Sequence, residues 1–443
     1  MTTDPAEHPR AETLGRYAAA KRLIPGGTQL LSKRPEMFAP GSWPAYYETA
    51  EGVTVTDLDG NRYTDMSYMG IGSCVLGYAD PDVNRAVHAA VDAGSMSTLN
   101  PPEEVDLAER LIEMHPWASM VRYARSGGEA VAIAVRIARA YTGEETVAFC
   151  GYHGWHDWYL AANLPADDRL DGHLLPGLDP AGVPQSLQGT ALPFEYNDLD
   201  ALEQIAADAQ LGAIVIEPIR YTEPDAGFLA GVREVATTHD VPLIVDEITA
   251  GFRTRPGGYH AQLDLRPDIA VYGKAIANGH PMAAIVGTEA VMDAAQDSFI
   301  SSTFWTERVG PAAALATIEK FETEAVHTHL VDMGTRIRRG WEAAAAAHDL
   351  PMHTKGIDPL PTFVIDHPDA QAARTLFTQE MLDRGYLSSN AVYVSYAHQQ
   401  ADVDLYLDSV DEVFGAVATA LHDGEVSDHL SGPIAHAKFR RLN

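Results

Sequence analysis

The chain has 443 residues, 46% of them hydrophobic, and sets 31 Lys+Arg against 62 Asp+Glu for a formal net charge of −31. That balance excludes a polyanion binder, because affinity for a phosphate backbone or an anionic membrane needs clustered cations, and no apolar run approaches the roughly 18 residues of a membrane-crossing helix. Two cysteines, Cys74 and Cys150, cannot build a disulfide framework, and the N-terminus lacks a basic region followed by an apolar one, so an unexported, cytoplasmic protein of two or three structural units is expected.

Residues 53–65, VTVTDLDGNRYTD, predict a β-hairpin, with Val53 and Val55 alternating and Asp59-Gly60 at the turn. From about residue 100 helix and strand alternate. Helical periodicity runs through Val105–Met114, Ala130–Tyr141, Leu199–Ala209 and Phe228–His239. Short apolar runs stand between them at Thr146–Phe149, Ala213–Ile216, Leu243–Val245 and Ile269–Tyr272. Such runs lack polar alternation and suit strands buried on both faces, which predicts an α/β fold with a mostly parallel sheet between helices. Beyond residue 325 come a helix at Leu330–His348, a strand in TFVID (362–366), and helices at Ala370–Arg384 and Val403–Leu421. The expected organisation is an N-terminal segment, 1–70, that joins a small C-terminal α+β domain, 325–443, with a large domain, 71–324, between them.

Ligands of parallel sheets bind beyond the carboxyl ends of the strands. Polar residues stand at three such points: Glu217-Pro218 after Ala213–Ile216, Asp246-Glu247 after Leu243–Val245, and Gly273-Lys274 after Ile269–Tyr272. An acid and an amine at one sheet edge are either a buried ion pair or a Schiff-base lysine with its carboxylate partner. The second reading has clear needs, since pyridoxal phosphate takes an amine, a carboxylate for its ring nitrogen and backbone N–H groups for its phosphate. Lys274, one of only six lysines, and Asp246 supply two of these. Ser126-Gly127-Gly128-Glu129-Ala130 follows the segment Met120–Ala124 and opens a helix, where an anion is favoured. Tyr152 follows the run ending at Phe149 and can stack on an aromatic ring. His153, His156 and Asp157 have metal-compatible spacing but no clear fourth ligand, so core or stacking roles are expected and no metal.

Ser126-Gly127-Gly128-Glu129-Ala130, Tyr152-His153-Gly154, Glu217-Pro218, Asp246-Glu247-Ile248 with Gly251-Phe252-Arg253, and Gly273-Lys274 occur in an order that resembles the class III pyridoxal-phosphate aminotransferases. Within that class the chain is most similar to the glutamate-1-semialdehyde aminomutase-like branch, through Pro25-Gly26-Gly27, Asp57–Asp65 and Ser395-Tyr396-Ala397-His398. The resemblance covers about residues 20 to 420 and implies fold type I. It also implies that Lys274 forms the cofactor imine and then moves the substrate proton, and that Asp246 bonds the pyridine nitrogen. Ile248 and Tyr152 would pack the two ring faces, Ser126, Gly127 and Gly128 would hold the phosphate, and Glu217 would belong to the cofactor site. Thr303 would reach the phosphate of a neighbouring subunit, which implies a homodimer with shared sites.

The chain also departs from that branch. Where the aminomutase places a carboxylate-binding arginine, counting from Gly26-Gly27, Lys33 stands with Arg34 beside it, and lysine lacks the bidentate fork. The gating glutamate falls on Asn390, the phosphate-motif threonine is Gly128, and Ser-Gly-Asn after Thr303 is replaced by Trp305-Thr306-Glu307. The expected activity is therefore transfer of an amino group from an amino-acid donor to a carbonyl of an amino sugar or aminoglycoside, such as a 6′-aldehyde, in antibiotic biosynthesis. The alternatives are the aminomutase itself, an amine epimerase of the same branch, or a non-catalytic partner protein of the same fold.

Overall fold

The computed structural model describes residues 9–439 apart from 167, 174, 175 and 220. Of the N-terminal stretch read above, residues 1–8 lie outside this set. The chain divides into two compact units, Pro81–Thr328 and Met1–Asp80 with His329–Asn443. The first division falls after Asp80 rather than after residue 70. Tyr78 explains this, because its backbone bridges Gly52 in both directions and its hydroxyl donates to Asp65 Oδ2 at 2.5 Å. The second division falls after Thr328 rather than after residue 324.

The smaller unit contains the expected hairpin. Strands β1 (Tyr47–Glu51), β2 (Thr54–Asp57) and β3 (Arg62–Met66) form an antiparallel meander. Asp57 accepts the N–H groups of Asp59 and Asn61, and Gly60 turns the chain at φ 81°.

The larger unit is built on seven strands: β4 (Met120–Ala124), β5 (Thr146–Cys150), β6 (Ala191–Pro193), β7 (Leu211–Ile216), β8 (Leu243–Asp246), β9 (Ile269–Tyr272) and β10 (Ala283–Gly287). Their order is β4-β10-β9-β8-β7-β5-β6, parallel throughout except for β10, which runs against both of its neighbours. This is the fold type I α/β architecture. Only residues 273–282 separate β9 from β10, too few for a crossover, so the chain must return antiparallel.

Strands β7 to β10 are buried at every residue. Alternate side chains feed two apolar layers. Ala213, Val215, Ile244 and Val271 pack with the helix Gly127–Thr142 on one face. Ile214, Ile216, Leu243 and Val245 pack with the helices Leu199–Asp208 and Phe228–Thr238 on the other. Each buried Val or Ile contributes about 1.5–3 kcal/mol, so strands with apolar residues at both parities are held on both sides.

In the smaller unit the chain adds β11 (Met352–Lys355), paired antiparallel with β12 (Thr362–Ile365), and β13 (Tyr386–Ser388), which lies parallel to β3. The helices Ala370–Asp383 and Gln400–Asp423 close over an aromatic core. Trp341, Phe377 and Phe414 surround Phe363 at centroid distances of 5.0, 5.1 and 5.4 Å. No described helix is long and apolar enough to cross a membrane.

Candidate active site

The parallel pairing of β8 with β9 puts Asp246, the last residue of β8, and Lys274, two residues beyond β9, at the same edge of the larger sheet. The glycines show how closely the loops of this edge approach. A Cβ on Gly127 would stand 2.7 Å from Ile248 Cδ1, and one on Gly273 would stand 3.5 Å from Ile248 Cγ1 and 3.9 Å from Gly127 Cα. Ile248 is therefore the plate between the glycine turn after β4 and the lysine turn after β9.

Lys274 is itself unusual. Its φ is 46°, in the left-handed region that costs a non-glycine residue on the order of 1 kcal/mol. From there its Nζ donates to Thr249 Oγ1 at 2.8 Å. Thr249 is 95% buried.

Asp246 is buried but satisfied, as a charge-bearing anchor must be. Its Oδ1 accepts the Ile248 N–H at 3.0 Å and its Oδ2 lies 2.8 Å from His153 Nδ1. The other ring nitrogen, Nε2, lies 3.0 Å from the carbonyl oxygen of Cys150. A carbonyl only accepts, so Nε2 carries a proton, and one further proton is shared between Nδ1 and Oδ2. His153 was expected to fill a core or stacking role. It does pack beside Phe149 and Trp158, but its nitrogens make it the positioning partner of Asp246.

The turn after β4 is fixed by Glu129, whose carboxylate accepts the N–H groups of Arg125 and Ser126 at 3.1 Å each. Ser126 caps the helix Gly127–Thr142. The first N–H groups of a helix have no acceptor inside it, which leaves the glycine pair to face an anion. Gly154, at φ 106°, brings the loop after β5 against this turn, where a Cβ on it would be 2.9 Å from Gly128 Cα. His156 lies over Gly128, 3.1 Å from where its Cβ would be, so His153 and His156 serve different neighbours. Among the described residues no group of three or more His, Cys, Asp and Glu is arranged to hold a metal ion.

Glu217 acts on backbone. Its Oε2 accepts the Tyr152 N–H at 3.0 Å and packs against Gly151, where a Cβ would approach to 2.7 Å. Tyr152 is thereby held in a half-buried position, edge-on to Tyr159 at 5.9 Å.

Thr303 is not brought into this set. It is exposed on the short turn Thr303–Thr306. That turn is tied to the glycine turn through Arg125, which donates to the carbonyls of Trp305 and Glu307 at 2.9 Å each, and through Trp305 Nε1, 3.4 Å from Glu129.

Lys33, Arg34 and Asn390 belong to the smaller unit. Lys33 is exposed, and the Arg34 guanidinium lies against Gly26 and 5.6 Å from the Phe439 ring centroid. The Asn390 amide donates to the carbonyl of Phe363 at 3.1 Å.

Behind the sheet edge, within the larger unit, lies a buried polar cluster. Glu247 accepts the backbone N–H of His260 at 2.7 Å and meets its Nδ1 at 2.8 Å, and His115 Nε2 meets the Tyr272 hydroxyl at 2.6 Å. Burial, assisted by the nearby His260 and Arg255, lowers the His115 pKa from 6.5 to about 4.

The residues fit pyridoxal phosphate. The glycine pair leaves a cradle at a helix N-terminus that side chains would fill, and a partly buried amine and a buried, paired carboxylate stand on the same edge. Comparison with known proteins agrees. The aminotransferase class-III family model matches residues 37–401. The chain is 30% identical over 426 residues to 3-aminobutyryl-CoA aminotransferase of Cloacimonas acidaminovorans (strain Evry), covering 93% of this chain and 98% of that one. It is 31% identical to glutamate-1-semialdehyde 2,1-aminomutase of Chloroflexus aggregans, covering 90% and 96%. It is 34% identical to 2'-deamino-2'-hydroxyneamine transaminase of Streptomyces kanamyceticus, covering 76% and 82%. Among solved structures, the pyridoxal-phosphate form of the FumI protein of Sphingopyxis sp. MTA144 superposes with a TM-score of 0.84 at 25% identity, over 93% of this chain and 97% of that one. The chain belongs to the class III aminotransferase family and is a pyridoxal-phosphate-dependent transaminase of fold type I.

Proposed function

We propose that the enzyme moves an amino group from an amino-acid donor to a ring ketone or 6′-aldehyde of an amino sugar or aminoglycoside intermediate. In the balanced exchange the donor leaves as a carbonyl compound and the acceptor's carbonyl becomes an amine. The observation that carries this reading is Lys33 at the position where the branch places its carboxylate-binding arginine, since lysine lacks the bidentate fork. Lys33 stands there exposed, and the neighbouring Arg34 packs against Gly26 and Phe439. The similarity to an aminoglycoside transaminase supports it. We assign acceptor discrimination to Lys33, Arg34 and Asn390.

When bound, the cofactor supplies the aldehyde that takes up the amino group and a ring that accommodates negative charge. Lys274 Nζ holds and moves the proton at the substrate carbon. The Asp246 carboxylate would face the ring nitrogen, its two oxygens positioned by His153 Nδ1 and the Ile248 N–H. Ser126, Gly127 and Gly128 face the phosphate, Ile248 and Tyr152 pack the ring, and Glu217 orients the Tyr152 loop.

We place the active enzyme in the cytoplasm as a homodimer, with Thr303 completing the partner's phosphate site. Phe299 and Phe304, 87 and 70% exposed and close to Thr303 in the chain, support that interface, since exposed apolar surface there favours a cover. Screening amino donors against aminoglycoside aldehydes and ketones, β-keto thioesters and glutamate-1-semialdehyde, with product mass as readout, tests the reading. An aminated amino sugar is expected as the best product. Preferred turnover of the thioester or the semialdehyde would overturn the assignment.

A further inference from the structure

The turn Asp246-Glu247-Ile248-Thr249 carries one polar side chain that nothing above employs, and it faces the reacting amine. We propose that Thr249 is a positioning residue that holds the Lys274 amine whenever that amine is not bonded to the cofactor. Three observations carry this. Thr249 Oγ1 accepts from Lys274 Nζ at 2.8 Å, and the accepting threonine is itself 95% buried. The backbone that presents the hydroxyl is itself fixed, since the Thr249 carbonyl accepts from the fully buried Arg253 Nε at 3.3 Å. Lys274 sits at a φ of 46°, a backbone conformation that a non-glycine residue keeps only where its surroundings hold it.

The free amine is a working state of a transaminase. Donor amine displaces the lysine, which then carries the proton and must later return. On return in turnover Nζ would bond to the cofactor carbon and displace the product amine, one carbon–nitrogen double bond replacing another, whereas on reconstitution with free cofactor it would bond to the aldehyde carbon and one water would leave. A lysine side chain free to sample its rotamers finds that carbon less often. Thr249 removes most of that search, whichever carbonyl compound is the acceptor.

The test compares Thr249→Val, which keeps the shape and removes the hydroxyl, with Thr249→Ser, which keeps the hydroxyl. Apoprotein is mixed with pyridoxal phosphate and the rate of lysine–cofactor imine absorbance is followed. In parallel, equilibrium dialysis measures affinity for pyridoxamine phosphate, which has no aldehyde for the lysine. Thr249→Val is expected to slow imine formation about tenfold, the loss of a bond near 1.4 kcal/mol, and Thr249→Ser to stay within about twofold. Pyridoxamine phosphate affinity should be unchanged in both variants, which a merely structural role would not allow. Equal rates for Thr249→Val and wild type, equal slowing by both variants, or a parallel fall in pyridoxamine phosphate affinity would each overturn the inference. None of these results bears on the acceptor, so the inference can fail while the proposed function stands, and the reverse.

Discussion

Replacing His153 with phenylalanine isolates what its nitrogens do, because the ring's neighbours Phe149, Trp158 and Tyr159, at 6.0, 6.3 and 6.0 Å, can pack against either ring. Two hydrogen bonds disappear, at 2.8 Å to Asp246 Oδ2 and 3.0 Å to the Cys150 carbonyl, and both side chains of the His153–Asp246 pair are at least 97% buried. A buried carbonyl left without a donor costs about 1–3 kcal/mol, and a carboxylate losing a charge-assisted bond about 1.5–3 kcal/mol. His153→Phe should therefore lose roughly 3–5 kcal/mol in urea unfolding of the apoprotein. Combining it with Asp246→Asn separates the two bonds, since only the carboxylate bond depends on residue 246. The double-mutant cycle should return a coupling of about 2 kcal/mol. A coupling below about 0.5 kcal/mol, or a His153→Phe loss under about 1 kcal/mol, would refute the view that His153 secures the anionic Asp246.

Gly127→Ala drives a methyl group to 2.7 Å from Ile248 Cδ1, and should weaken pyridoxal phosphate binding about tenfold in equilibrium dialysis, with partial recovery in Gly127→Ala/Ile248→Val. Burial lowers His115 and His173 from 6.5 to about 4 each, so the unfolded chain takes up protons first as pH falls. Stability present above pH 6.5 is then lost between pH 6.5 and 4, by up to about 3 kcal/mol for each histidine, and His115→Gln should flatten urea-unfolding stability across that window. With a net charge of −31, the apparent KM for a polycationic amino-sugar acceptor should rise with ionic strength, and a KM insensitive to salt would remove any role for steering.

The core was legible wherever apolar runs had no alternation. Thr146–Phe149, Ala213–Ile216, Leu243–Val245 and Ile269–Tyr272 lie within β5, β7, β8 and β9, shifted by at most two residues at either end. Strand β6 has only three residues and ends in proline, and β10 is an Ala- and Gly-rich return strand, so neither carried a pattern of its own. Asp246, Lys274 and the glycine turn could be found because each directly follows a strand. His153 could not be paired with Asp246, since 93 residues separate them and only the parallel order of β5, β7 and β8 brings their loops together. Its signal was the position just beyond β5, the same rule that exposed Asp246. Glu217 stands out because it too follows a strand, and its Oε2 accepts the Tyr152 N–H. Thr249 stands three residues beyond the strand end, and only the folded chain brings the Lys274 amine to it.

Borohydride reduction of the enzyme loaded with pyridoxal phosphate, followed by peptide mapping, tests the central assignment directly, because the chain offers only six lysines. The reduced adduct should lie on the peptide containing Lys274 alone, and should vanish in Lys274→Ala while pyridoxamine phosphate still binds. An adduct on any of the other five lysines, or none on Lys274, would contradict the account.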